Sequence, residues 1–67
     1  MIFRIEFANL SESEAMSSLQ GFICGDATNL RIATVAGVVT GWATVEDDRI
    51  GQMADELDAD DNVVFYV

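Results

Sequence analysis

The chain has no histidine, no lysine, no proline and a single cysteine, Cys24. Without histidine there is no Ser-His-Asp or Cys-His arrangement and no histidine general base. One cysteine makes no internal disulfide, no two-cysteine redox motif and no cysteine-built zinc site. Cys24 has no activating neighbour in sequence and reads as a small buried apolar residue near a helix end. The lone thiol fits a reducing, cytoplasmic setting. No apolar run approaches the roughly 20 residues needed to cross a bilayer. The opening MIFRIEF is broken by Arg4 and Glu6, and no small-residue cleavage site follows, so it does not read as a signal peptide. The five glycines make no phosphate-cradling pattern. Asp58-Ala59-Asp60-Asp61-Asn62 has the alternating oxygens of a calcium loop, but Val63 stands where that loop needs glycine. The expectation is no enzyme, no cofactor and no metal site.

Positive charge is scarce too. Three arginines face twelve acidic residues, for a net charge of −9. Such a chain is repelled by nucleic acids and anionic membranes and attracted to basic surfaces. Eight of the twelve acids fall between Glu46 and Asp61, with only Arg49 against them. Charge adopted for solubility or salt adaptation is usually spread over a surface, whereas here it is concentrated.

What is present is a clear pattern of elements in 67 residues, read as one domain, 1–67. Met1 to Ala8 alternates, with Met1, Phe3, Ile5 and Phe7 on one face and Ile2, Arg4 and Glu6 on the other, as in a strand with one core face. Ser11 and Glu14 make a capping box that opens a helix. Ala15, Met16, Leu19, Phe22 and Ile23 form its buried stripe, with Gly25 as its C-terminal cap. An alternative ends that helix at Gln20 and makes Phe22 to Cys24 a short strand; the longer helix is preferred. Leu30 to Ala36 and Val38 to Val45 read as strands joined at Gly37. Gly41 inside the second marks a bulge or a close approach to the backbone. Glu46, Asp47 and Asp48 open a second helix, where acids suit the partly positive N-terminus. Ile50, Met53, Ala54 and Leu57, at i, i+3, i+4 and i+7, are its core face. Asp60-Asp61-Asn62 ends it, and Val63 to Val67 is the last strand.

Strand, helix, strand, strand, helix, strand is the ferredoxin-like βαββαβ pattern of an α+β domain. Right-handed crossovers then give the strand order 4-1-3-2 in an antiparallel sheet, with both helices on one face. The other face stays open. If Trp42 and Tyr66 both lie there, they form an aromatic platform beside Arg4, suited to packing against a second copy; the alternative is that the two rings simply pack within the monomer.

On the second helix, Asp47, Asp55 and Asp58 share one side, and Asp48 and Glu56 a neighbouring side. Asp58, Asp60 and Asp61 crowd its C-terminus, where the helix dipole disfavours negative charge by about 0.3–1 kcal/mol each. Stability alone does not select that arrangement; a partner rich in arginine and lysine would, the alternative being a solvated face with a frayed helix end. The candidate partner-binding residues are therefore Asp47, Asp48, Asp55, Glu56, Asp58, Asp60 and Asp61, with Glu12 and Glu14 assisting.

In charge, size and compactness the chain resembles, at the level of a class, the small acidic phage inhibitors of bacterial defence, anti-CRISPR proteins and DNA mimics among them. Those proteins share no common motif, so no residue role is carried over. The resemblance implies carboxylates standing in for phosphates on a basic, nucleic-acid-binding partner, in the host cytoplasm if the chain is phage-encoded. The alternatives are an acidic domain of a salt-adapted organism, or a dimeric regulatory module, since the chain is also similar to small ferredoxin-like modules that bind amino acids or metals. The metal-carrying kind needs a CxxC loop after its first strand, where this chain has Ala8-Asn9-Leu10-Ser11.

Overall fold

The computed structural model describes residues 1–67. Its elements are β1 (Ile2–Phe7), α1 (Glu12–Gly21), β2 (Thr28–Val35), β3 (Val38–Thr44), α2 (Ile50–Ala59) and β4 (Val63–Tyr66). Two short 3-10 turns, Phe22–Gly25 and Asp47–Arg49, follow α1 and precede α2. The four strands form one antiparallel sheet in the order β2-β3-β1-β4, the ferredoxin-like arrangement. No helix is long and apolar enough to cross a membrane.

The core lies between the sheet and the helices. Phe3, Ile5 and Phe7 of β1 are buried against Ala15 and Leu19 of α1 and Met53 and Leu57 of α2. Period two in the strand and period 3.6 in the helices thus aim their apolar residues at one layer. The capping box is formed: the Ser11 hydroxyl accepts from the Glu14 amide at 3.1 Å, and the Glu14 carboxylate accepts from the Ser11 amide at 2.9 Å. The β2–β3 hairpin closes through Ala36 and Gly37, both at positive φ (52° and 81°), which matches the twist of the flanking strands.

At Gly41 the close approach holds and the bulge does not. Ile5 and Ile32 pair with it in regular register. A Cβ there would lie 3.0 Å from Ile32 Cδ1, 3.1 Å from a Phe7 ring carbon and 3.4 Å from a Leu19 methyl. The sheet can seat α1 closely at that point because there is no side chain beneath it.

Four expectations are corrected. The long first helix stops at Gly21, and the next segment is neither helix nor strand. Ile23 and Cys24 take left-handed conformations (φ 44° and 54°), followed by Gly25 at φ 84°. Phe22 and Ile23 are buried as the stripe implies, but by a tight turn that folds them under α2. That same turn leaves Cys24 exposed, not buried. The acids Asp47 and Asp48 precede α2 in a 3-10 turn of their own, and α2 begins at Ile50.

The fourth correction concerns the last strand. The β1–β4 register runs Ile5↔Tyr66, Glu6↔Phe65 and then Phe7↔Val63, so a bulge interrupts it. Simple alternation would put Val63 and Tyr66 on opposite faces; the extra residue puts both on the helix side. Tyr66 therefore does not join Trp42 on the open face. Its ring packs on Phe3 with centroids 6.2 Å apart, and Phe65 takes the open-face position.

Candidate partner-binding surface

The register assigns the paired strand residues to faces. Arg4 pairs with Trp42, and Trp42 with Arg31, so all three share the open face. Arg31 stacks over the Trp42 ring at 4.7 Å, and Arg4 lies 5.9 Å over Phe65. Glu6, 3.1 Å from Arg4, is the one acid on that face. The other eleven acids lie on the helices, their caps and the connecting loops. With them is only Arg49, already bound to Asp26 at 2.8 Å. The molecule is strongly polarised, with net side-chain charge +1 on the open face (Arg4 and Arg31 against Glu6) and −10 elsewhere (Arg49 against eleven acids).

The predicted partner-binding acids are not equivalent. Glu12 accepts a hydrogen bond from the Thr34 hydroxyl at 2.5 Å and ties α1 to β2. Glu14 belongs to the capping box. Glu56 accepts from the backbone N–H of Ile23 and clamps the left-handed turn to α2. Asp58 accepts from the Tyr66 hydroxyl at 2.8 Å, tying α2 to β4. Asp60 accepts from the Asn62 amide at 2.8 Å and shapes the turn after α2. Asp47 is almost fully exposed, 3.6 Å from the Met1 amino group. Asp48, Asp55 and Asp61 are exposed and form no hydrogen bond or ion pair within the fold, so their carboxylates are hydrated and free to engage another molecule. Sequence spacing shows the tie only for Glu14, through its capping box; Glu12, Glu56 and Asp58 are held by residues from elsewhere in the chain, and Asp60 by its own turn.

Two groups have shifted pKa values. Hydrogen bonds from the Ser11 backbone and then its side chain hold the Glu14 carboxyl below its ordinary range, against a small opposing effect of burial. Donation of its hydroxyl to Asp58 raises the Tyr66 phenol, helped by desolvation and by the negative charges of Asp58 and Asp55. A phenol whose pKa is higher folded than unfolded stabilises the fold fully below its ordinary value of about 10, and that contribution is lost as pH rises through the folded value. Urea denaturation across an alkaline pH series is therefore expected to show stability falling above about pH 10, and the fall is expected to be smaller in Tyr66→Phe.

Beside the C-terminal end of α2 is a shallow hollow, wide open to solvent, lined by Phe22, Glu56, Ala59, Asp60, Asp61 and Asn62. Carboxylates around one opening suit the charged head of a long basic side chain. No three acidic or thiol groups converge in a metal-holding cluster, and every buried side-chain nitrogen or oxygen has a hydrogen-bond partner. Arg31 and Phe65 are the open-face residues that sequence reading missed. Each needs a strand register to be placed, and the β4 bulge hides the parity of Phe65.

The geometry defines the class as a ferredoxin-like α+β domain with an acidic helix side and a near-neutral sheet face. In comparisons with known proteins, no family model, curated protein or solved structure matches the chain.

Proposed function

We propose that this chain is a non-enzymatic interaction protein that binds a basic, nucleic-acid-binding partner through its acidic helix side. Its carboxylates take the place of phosphates, in the manner of small inhibitors of bacterial defence. The observation that supports this is the segregation of charge. Eleven acids lie off the open sheet face with one arginine among them, and that arginine is already engaged by Asp26. Free carboxylates at Asp48, Asp55 and Asp61 give the surface its reach, and the hollow beside Asp61 receives an arginine or lysine of the partner.

The test reverses only the carboxylates that the fold does not use. The triple variant Asp48→Lys, Asp55→Lys, Asp61→Lys is compared with wild type in capture from bacterial lysate, washed across a salt series and read by mass spectrometry. Wild type is expected to retain a nucleic-acid-binding protein at low salt and release it as salt rises. The variant is expected to bind that protein on the order of 100-fold more weakly, since an exposed charge contributes about 1 kcal/mol and about 1.4 kcal/mol is tenfold. Its circular dichroism and melting should match wild type. Equal affinity in the variant, or capture indifferent to salt, rejects the proposal.

A further inference from the structure

The open sheet face has a composition unlike the rest of the surface. Four of the six exposed large apolar residues lie on it: Ile2 (65% exposed), Val67 (53%), Val35 (49%) and Phe65 (48%). Their positions follow from the register, with Val67 placed by its paired backbone hydrogen bonds to Arg4. They reach from one edge of the sheet to the other, with Val35 on β2, Ile2 on β1 and Phe65 on β4. Trp42 lies half-buried between them, and Thr40 is already covered by its neighbours. The two arginines stack on aromatic rings, as described above, and present apolar stems with their charge partly occupied.

From this face and the charge map together, we propose that the chain forms a two-fold homodimer, sheet face to sheet face. Three features select a second copy in that orientation. First, two molecules of net charge −9 repel along every approach that brings helix sides together. Pairing through the faces of charge +1 holds the two sets of eleven acids as far apart as the molecules allow. Second, Arg4 and Glu6 sit two residues apart on a central strand, 3.1 Å from each other. Such a pair is self-complementary under a two-fold axis, since Arg4 can meet the partner's Glu6 while Glu6 meets the partner's Arg4. Third, a head-to-tail stack would place Ile2 and Phe65 on hydrated carboxylates, whereas the two-fold pairing sets apolar surface on apolar surface. A stable interface takes about 800 Å² from each partner. That is about a fifth of the 3916 Å² surface, which one face of a two-layer domain supplies. The dimer does not rest on the proposed function, and it leaves both acidic helix sides facing outward.

The test is sedimentation of the full chain across protein and salt concentration, with Trp42 fluorescence recorded alongside. Trp42 is the one tryptophan and lies on the face in question. A dimer is expected whose affinity rises with salt, because salt screens the mutual repulsion. This is opposite in sign to the salt response of the acidic-face capture above. Trp42 emission should shift to the blue as the dimer forms. Phe65→Gln and Val35→Gln, on opposite edge strands, should each weaken dimerisation at least tenfold with unchanged circular dichroism. A monomer at millimolar protein in molar salt overturns the proposal. So do assemblies larger than a dimer that dissociate as salt rises, which would indicate head-to-tail stacking. A monomer whose Trp42 is quenched by a single-stranded oligonucleotide also overturns it and assigns the face to nucleic acid.

Discussion

Leu57→Ala is expected to remove about 2–5 kcal/mol of folding stability, one of the largest losses any single substitution in this chain should produce. Leu57 is 1% exposed at the centre of the contact between α2 and the sheet. Truncating a buried leucine to alanine removes its transfer free energy and leaves a cavity, at a cost of about 2–5 kcal/mol. At about 0.05–0.15 kcal/mol per residue, a domain of 67 residues has roughly 3–10 kcal/mol of stability in all. The loss is thus a major part of the total, and a small domain has little core to redistribute the strain. α2 has only two fully buried residues, Met53 and Leu57, so no neighbour on the helix can take over. Urea denaturation followed by circular dichroism measures the effect. A loss below about 1 kcal/mol would mean that α2 is not docked as described.

The second large effect is expected from a carboxylate that looks like surface charge in the sequence. Glu56→Ala should cost about 1.5–3 kcal/mol, because it removes a charged acceptor from the half-buried Ile23 amide. That amide belongs to a β-branched residue at φ 44°, a conformation that costs about 1–3 kcal/mol and persists only where its surroundings enforce it. Phe22 and Ile23 supply the burial, and Glu56 supplies the hydrogen bond. Glu56→Gln keeps an acceptor and should recover much of the loss. Asp55→Ala, one residue away and exposed, should change stability by less than about 0.5 kcal/mol. Hydrogen exchange at the Ile23 amide gives a second readout, since protection there should fall in Glu56→Ala and be unaffected by Asp55→Ala. Equal behaviour of the two alanine variants would remove Glu56 from its role as a clamp.

This contrast bears on the proposed function. Among the acids singled out from the sequence, Glu12, Glu14, Glu56, Asp58 and Asp60 each hold the fold together at a specific bond. Reversing them would remove bonds that the fold uses along with surface charge, and the result would mix stability with recognition. Asp48, Asp55 and Asp61 are the positions where charge reversal tests recognition alone. Asp61 is the most informative, because it also lines the hollow beside Phe22.

Much of the architecture is legible in the order of residues. Alternation in β1, helical spacing in Ile50, Met53, Ala54 and Leu57, and the capping box at Ser11 and Glu14 are local signals. Each depends on residues a few positions apart, where chain geometry leaves few choices. The strand order follows from the element order and the handedness of crossovers, which hold for any L-amino-acid chain. The acidic bias is visible by counting.

The tertiary structure alone decided four things. The bulge between Glu6 and Phe7 reversed the parity of β4, sending Tyr66 to the helices and Phe65 to the open face. The clamp from Glu56 goes with a left-handed turn at Ile23 and Cys24 where helical periodicity implied more helix. The register across β2, β3 and β1 gathered Arg31, Trp42 and Arg4 on one face and so left the acids on the other side. Hydrogen bonds between elements tied Glu12, Glu56 and Asp58 into the fold and set them apart from the acids that remain free. All four depend on pairings across the fold, and a pairing between distant residues leaves no periodicity in the sequence by which to read it.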